Sequence, residues 1–340
     1  MEFAYGVDLS WVSQFEKNGM IWVDEEGRQK DPVLLAKEKG ANAVRLRIFV
    51  NPPQDFMWKK NQDTRCQLGF CDAEHVLVMA KRAQKENMRI MLDFHYSDHF
   101  ADPQYQDIPE AWKNKTAEQL GEEIYLYTTN VLKFMKENGI RPEWIQVGNE
   151  INMGLMIPEG SLDENPENMT RFLNCGYEAV KNVFPECQVI THLTAFHKAQ
   201  YIEKFFDSFF TNGGKTDVLG FSHYPYWFNL YAREESDKVY PTADFVYKHM
   251  MYYSRKYKKP VMICEIGEHE EEEEKTYQLL ANTIEGLKTM PDNAGLGVFY
   301  WEPEANSRVL PDGYILGASR YLGSNKLQYT KALDAFKNNQ

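Results

Sequence analysis

The chain has 340 residues, 43% of them hydrophobic and 26% charged, with a formal net charge of -12. That length and apolarity allow a large buried core, which excludes a disordered or fibrous protein. The negative charge repels phosphate backbones and anionic lipid at long range, so nucleic acid is not an expected partner.

Short apolar runs alternate with longer amphipathic stretches along the whole chain. The pattern predicts a first strand over residues 3–9 and a helix opened by Asp31-Pro32, an N-cap acid followed by proline at the first helical position. A strand over 43–50 follows, then a helix over 72–86 with Val76, Met79, Ala80 and Ala83 on one face. The remaining strands are predicted at 89–95, 144–148, 188–193, 218–223, 261–265 and 297–301. Helices are predicted between and after them, near 116–138, 166–184, 198–212, 242–257, 272–290 and 327–337. The strands are rich in Val, Ile, Leu and Phe, as strands covered on both faces must be.

Eight β/α units predict an α/β fold that closes into a single (β/α)8 barrel domain over residues 1–340. The alternative is an open doubly wound sheet, which usually carries a glycine-rich phosphate turn after its first strand. Here that strand ends Val7-Asp8-Leu9-Ser10-Trp11, without such a turn. No linker, repeat or low-complexity segment divides the chain.

Five cysteines are present. Cys66 with Cys71, and Cys175 with Cys187, have spacings that permit short-loop disulfides; free, partly buried thiols are the equal alternative. Cys264 lies in an apolar run and reads as core. No stretch of about 20 apolar residues predicts a membrane span. No leader is visible before the first strand, which predicts either a cytoplasmic chain or a mature one. Glu268–Glu274 carries Glu at six of seven positions around His269. Negative charge there suits a helix start, and a divalent-cation site is the lesser reading.

In such a barrel the chemistry gathers where the strands end. The first strand ends in Asp8, the second carries Arg45 and Arg47, and the third runs Asp93-Phe94-His95-Tyr96-Ser97-Asp98. The fourth ends Gly148-Asn149-Glu150, the sixth His223-Tyr224-Pro225-Tyr226-Trp227, the seventh Cys264-Glu265 and the eighth Tyr300-Trp301-Glu302. Singly, each is as well explained by structure: an arginine pairs with an acid, and a histidine satisfies a loop. Together they occupy one rim.

Glu150 and Glu265 stand out, because the fourth and seventh strands face each other across an eight-stranded barrel. Paired carboxylates suit hydrolysis of a glycosidic bond, one as acid and one as nucleophile or base. A separation of about 5–5.5 Å gives retention and about 6.5–9.5 Å inversion.

These motifs resemble the clan of retaining (β/α)8 glycosidases, and within it glycoside hydrolase family 53, the endo-β-1,4-galactanases. The resemblance rests on Tyr5-Gly6-Val7-Asp8-Leu9-Ser10, Asn42-Ala43-Val44-Arg45-Leu46-Arg47, and Asp93 to Asp98 continuing through Ala101-Asp102-Pro103 to Pro109-Glu110-Ala111-Trp112. Val147-Gly148-Asn149-Glu150-Ile151, Pro158-Glu159-Gly160, Tyr224-Pro225-Tyr226-Trp227 and Tyr300-Trp301-Glu302-Pro303 complete it.

The resemblance implies an enzyme that cleaves β-1,4-galactan within the chain, with Glu150 as acid/base and Glu265 as nucleophile. Asn149 would bind the sugar 2-hydroxyl and Arg45 would keep Glu265 ionised. His95, and His223 or Tyr224, would orient the pair and the sugar, and Trp301 would lie under the reacting ring. Asp8, Asp98, Asp102 and Trp227 would be further cleft residues. No cofactor is implied; a structural calcium is the lesser expectation. The implied partner is a polysaccharide, met by a monomer that is secreted, periplasmic or held at the cell surface. The chain departs from the pattern at Ile266-Gly267-Glu268-His269, Phe221-Ser222-His223, Pro303-Glu304-Ala305-Asn306 and Met156-Ile157. These changes fall in loops that shape sugar sites. They keep two alternatives open: a polysaccharidase of the same clan for another β-linked polymer, and a carbohydrate-binding barrel without catalysis.

Overall fold

The computed structural model describes residues 2–340, apart from the side chain of Ser236. Eight parallel strands close into a barrel: β1 (Ala4–Asp8), β2 (Ala43–Ile48), β3 (Arg89–Phe94), β4 (Trp144–Val147), β5 (Gln188–Leu193), β6 (Val218–His223), β7 (Val261–Ile266) and β8 (Gly295–Tyr300). Each pairs with its chain neighbours, and β8 closes on β1 with Ala4 opposite Gly297 and Val7 opposite Tyr300. The closed barrel excludes the open doubly wound sheet.

Helices capped as the sequence suggests cover the outside. Asp31 accepts from the Val33 amide ahead of Pro32–Glu38. Asp72 accepts from His75 ahead of Ala73–Lys85, which buries Val76, Met79, Ala80 and Ala83. Thr116 and Gln119 form a reciprocal capping box at the start of Ala117–Glu137.

Two apolar layers hold the barrel. Outward strand residues pack on the helices, while Ala4, Ala43, Met91, Trp144, Ile190, Val218, Met262, Cys264 and Phe299 fill the interior. The interior leaves no room at Gly6, where an added Cβ would stand 2.1 Å from the Phe299 ring.

Period-two alternation sets which residues face the mouth. On β2, Ala43 and Arg45 face inward; on β6, Val218, Gly220 and Ser222 do. On β7 the alternation is broken. Its register with β6 shifts between Ile263 and Glu265, so Met262, Cys264 and then Glu265 all face the interior. This irregularity is what aims Glu265 into the barrel.

The C-terminal end differs from expectation. Residues 327–337 were expected to be one helix, but Lys326–Tyr329 is a strand, paired with Ser319–Gly323 and with Ile21–Trp22. Its burial alternates, with Leu327 and Tyr329 inward, and helix follows only after it, as a 3-10 turn over Lys331–Leu333 and an α-helix over Asp334–Asn338. All five cysteines are free, so neither short-loop disulfide is present. Among the described residues no helix is long and apolar enough to cross a membrane.

The acidic tract splits its carboxylates. Glu270 accepts from Ser307, Glu272 pairs with Lys275, Glu273 pairs with Arg320 and Glu274 accepts from Gln278. Pointing different ways around a helix start, they do not converge on one ion. Among the described residues no group of three or more His, Cys, Asp or Glu is placed to hold a metal, so these residues do not fit the calcium reading.

Candidate active site

Arg45 organises the barrel mouth. It is fully buried, with Nη1 donating to Asp8 Oδ2 at 2.8 Å. Its Nη2 reaches Asp93 Oδ2 at 2.7 Å, Asn149 Oδ1 at 2.9 Å and Glu265 Oε1 at 2.9 Å. Burial opposes the guanidinium charge, but Asp93, Glu265 and Asp8 outweigh it and raise its pKa. The fork geometry lets one cation satisfy three strands at once.

Asp93 links Arg45 to His95. The His95 Nδ1 accepts from the Ala101 amide at 2.9 Å, which leaves the proton on Nε2, 2.9 Å from Asp93 Oδ2. Burial lowers the His95 pKa, so the ring is neutral and fixed. Asn149 is held as firmly. Its Oδ1 also meets Gln146 Nε2 and His192 Nδ1, each at 2.9 Å, and its Nδ2 donates to Ala101 O at 2.8 Å.

Glu265 and Glu150 line the same cleft, of about 940 Å³. The second oxygen of Glu265 accepts from the Tyr224 hydroxyl at 2.9 Å. Burial raises Glu265 to about 8, and Glu150 adds to this, while Arg45 and Tyr224 pull it down. Burial also raises Glu150, to about 7, against the Ser222 and Thr194 hydroxyls. Only Glu265 touches a guanidinium. Both carboxyls titrate above the usual range as an interacting pair, and the direct ion pair with Arg45 favours the anion at Glu265.

Three residues with left-handed backbone lie at this rim. Glu150 has φ 47°, Tyr96 φ 50° and Glu302 φ 51°, all left-handed and all just past strand ends. Gly148, at φ 82°, begins the bend that presents Glu150.

Aromatic rings form the walls. Trp301 packs edge-on against Trp11 at 5.3 Å and Tyr314 at 4.8 Å. Trp58 stacks on His99 at 4.2 Å. Beneath them Arg47 pairs with Glu302, and its guanidinium lies 5.1 Å from the Trp11 ring and 4.8 Å from that of Phe100.

Of the residues singled out in the sequence, Glu150, Glu265, Asn149, His95, Asp102, Tyr224, Trp227 and Trp301 line the cleft. Asp8 and Arg45 lie directly under it. Two do not belong. Asp98 fastens loops, accepting from the Asn51 amide at 3.0 Å and the Glu110 amide at 2.8 Å. His223 follows inward Ser222 and therefore faces outward, against Phe196 at 5.1 Å and Phe245 at 6.5 Å. In its place stands His192 of β5, which joins Asn149 to Ser222 Oγ at 2.8 Å. Its signal was a polar residue at an inward position of an apolar strand. Gln146 on β4 carried the same signal. Tyr314 carried none, since it lies in an irregular loop.

The comparisons agree with this geometry. An arabinogalactan endo-β-1,4-galactanase of Cellvibrio japonicus is 30% identical over 334 residues, covering 88% of this chain and 80% of that protein. An endo-β-1,4-galactanase of Bacillus subtilis is 29% identical, covering 89% and 70%. The solved catalytic domain of a family 53 enzyme from Ignisphaera aggregans superposes with a TM-score of 0.82 at 26% identity, over 98% of this chain and 95% of that one. The family model described as glycosyl hydrolase family 53 matches residues 4–336, nearly the whole barrel, and the chain belongs to that family.

Proposed function

We propose that this glycoside hydrolase cleaves β-1,4-galactosidic bonds within galactan or arabinogalactan, with retention, through Glu150 and Glu265. The names of the relatives support the substrate. The carrying observation is the asymmetry in what holds the two carboxyls: Arg45 and Tyr224 hold both oxygens of Glu265, each at 2.9 Å, while Glu150 meets the neutral hydroxyls of Ser222 and Thr194.

In the first step Glu150 donates its proton to the glycosidic oxygen as the Glu265 carboxylate attacks the anomeric carbon. The bond to the leaving sugar breaks and a glycosyl ester forms on Glu265. In the second step Glu150 takes a proton from water, whose oxygen attacks the same carbon and releases Glu265. Two inversions give net retention. Arg45 and Tyr224 stabilise Glu265 as an anion and leaving group. Asn149 spends one amide N–H on Ala101, and its second would meet the sugar 2-hydroxyl. Trp301 would lie under the reacting ring. The mechanism needs no cofactor. A polymer substrate is met outside the cell, which supports an exported enzyme.

The deciding experiment is digestion of β-1,4-galactan, with early products sized and their anomeric configuration followed by NMR. Short β-configured galacto-oligosaccharides are expected. Cleavage of another β-linked polymer, with galactan untouched, would reassign the substrate. No cleavage of any would leave carbohydrate binding alone.

A further inference from the structure

The cleft has two unlike halves. Trp11, Trp58, Phe100, Trp301 and Tyr314 line one half from the loops after β1, β2, β3 and β8, which are neighbours around the barrel. On the other, past Glu150, the wall is built by the loops after β4, β5 and β6. If Glu150 protonates the leaving oxygen over Trp301, this second half receives the leaving part of the chain; the inference rests on that reading.

The segment after β6 is a short helix, Pro225–Tyr231. Counted from Tyr224, the residues Trp227, Phe228 and Tyr231 stand at i+3, i+4 and i+7, so they share one helical face. All four line the cleft. A stripe at this spacing is usually core, and its exposure should then stay low. Here exposure rises outward, from 8% at Tyr224, which bonds Glu265, to 74% at Tyr231. Seven residues of helical rise put Tyr231 about 10 Å beyond Tyr224. Tyr201, 56% exposed, stands on the same half. The charges on this side, Lys204 and Asp163, pair with each other, so the surface suits a neutral chain.

We infer that Trp227, Phe228, Tyr231 and Tyr201 form an aromatic run that binds the leaving side of a neutral β-linked sugar chain beyond its first sugar unit. The enzyme then favours bonds with two or more sugars on the leaving side. Flat rings meet the C–H faces of sugars while the tyrosine hydroxyls stay in water.

The test compares Tyr231→Ala and Tyr201→Ala with wild type on reducing-end-labelled β-1,4-galacto-oligosaccharides and on an aryl β-galactobioside, whose leaving group fills only the first position. Val78→Ala, at an exposed apolar residue on an outer helix, is the control. Loss of one ring contact is expected to lower the ratio of kcat/KM for long over short substrate about tenfold. Cleavage should also move toward the labelled end, with melting unchanged. Equal loss on both substrates, or no change in the ratio, overturns the inference. If wild type turns over neither substrate, the catalytic reading fails instead. The run is then judged by affinity for galactan, and an unchanged affinity in Tyr231→Ala overturns it.

Discussion

Tyr224 donates its hydroxyl to Glu265 Oε2 at 2.9 Å, on the side of the carboxylate opposite Arg45. The bond pulls the Glu265 pKa down. Tyr224→Phe removes a hydrogen bond to a charged group and should lower kcat about ten- to a hundredfold. Without that donor Glu265 takes up its proton more readily, so the acidic limb of the kcat/KM profile should move to higher pH. An unmoved limb in the pH profile would mean that the tyrosine does not tune the nucleophile.

The two glutamates should fail differently. Glu150→Gln should reduce turnover of galactan about 10²- to 10⁴-fold, the range of general acid–base contributions, and should remove the alkaline limb of the profile, which burial of that carboxyl moves upward. Azide should partly rescue the alanine variants. At Glu150→Ala it should intercept the glycosyl ester and give a β-azide. At Glu265→Ala it should replace the nucleophile and give an α-azide. Product NMR reads both, and swapped anomers would exchange the roles.

His223 offers a check on the outward-facing assignment. Both its ring nitrogens lack partners, and burial lowers its pKa to about 3 from an ordinary 6.5. The unfolded chain therefore binds a proton that the folded chain refuses. Stability is lost as pH falls below 6.5, by up to about 1.4 kcal/mol per unit from this one group. His223→Phe should leave kcat/KM nearly unchanged and melt higher than wild type below pH 6, with the gap widening as pH falls. A hundredfold loss of turnover would return His223 to the cleft.

Glu304 is fully buried, and among the described residues no cation pairs with its carboxyl; the Trp11 and Glu304 amides only partly offset the cost of burial. Burial holds its pKa well above the usual range, with Asp8 adding to it. A raised carboxyl contributes fully to stability below its unfolded value, and the contribution is lost as pH rises toward its folded value. Glu304→Gln keeps the shape without the titration. It should raise Tm at neutral and alkaline pH and change little below pH 4. A lower Tm at pH 7 would indicate that the carboxylate is charged and paired.

Much of this was legible because a barrel obeys simple periodicities. Apolar runs located all eight strands, and their polar ends brought Asp8, Arg45, Asn149 and Glu150 to one rim. Glu265 was found by type and place, but its inward aim depends on a register shift that no residue pattern announces. Facing is also where the reading of His223 failed: Ser222 takes the inward position, so the neighbouring histidine cannot. Asp98 sits in a polar loop, where an acid serves backbone amides as readily as a sugar. Residues 327–329 were misread because Leu327 and Tyr329 also suit a helical stripe, and their strand's pairing partner Ile21–Trp22 lies some 300 residues away in sequence.

The five unpaired thiols make this barrel a ready chassis for chemical labelling. Burial is the main influence on each and raises its pKa, to about 12 at Cys66 and Cys71 and upward at Cys175, Cys187 and Cys264. Alkylating reagents attack thiolates, and at neutral pH these sulfurs supply almost none. A cysteine introduced at an exposed site would then outpace all five natural ones. A fluorophore or spin probe could be attached at one chosen point with no native cysteine removed.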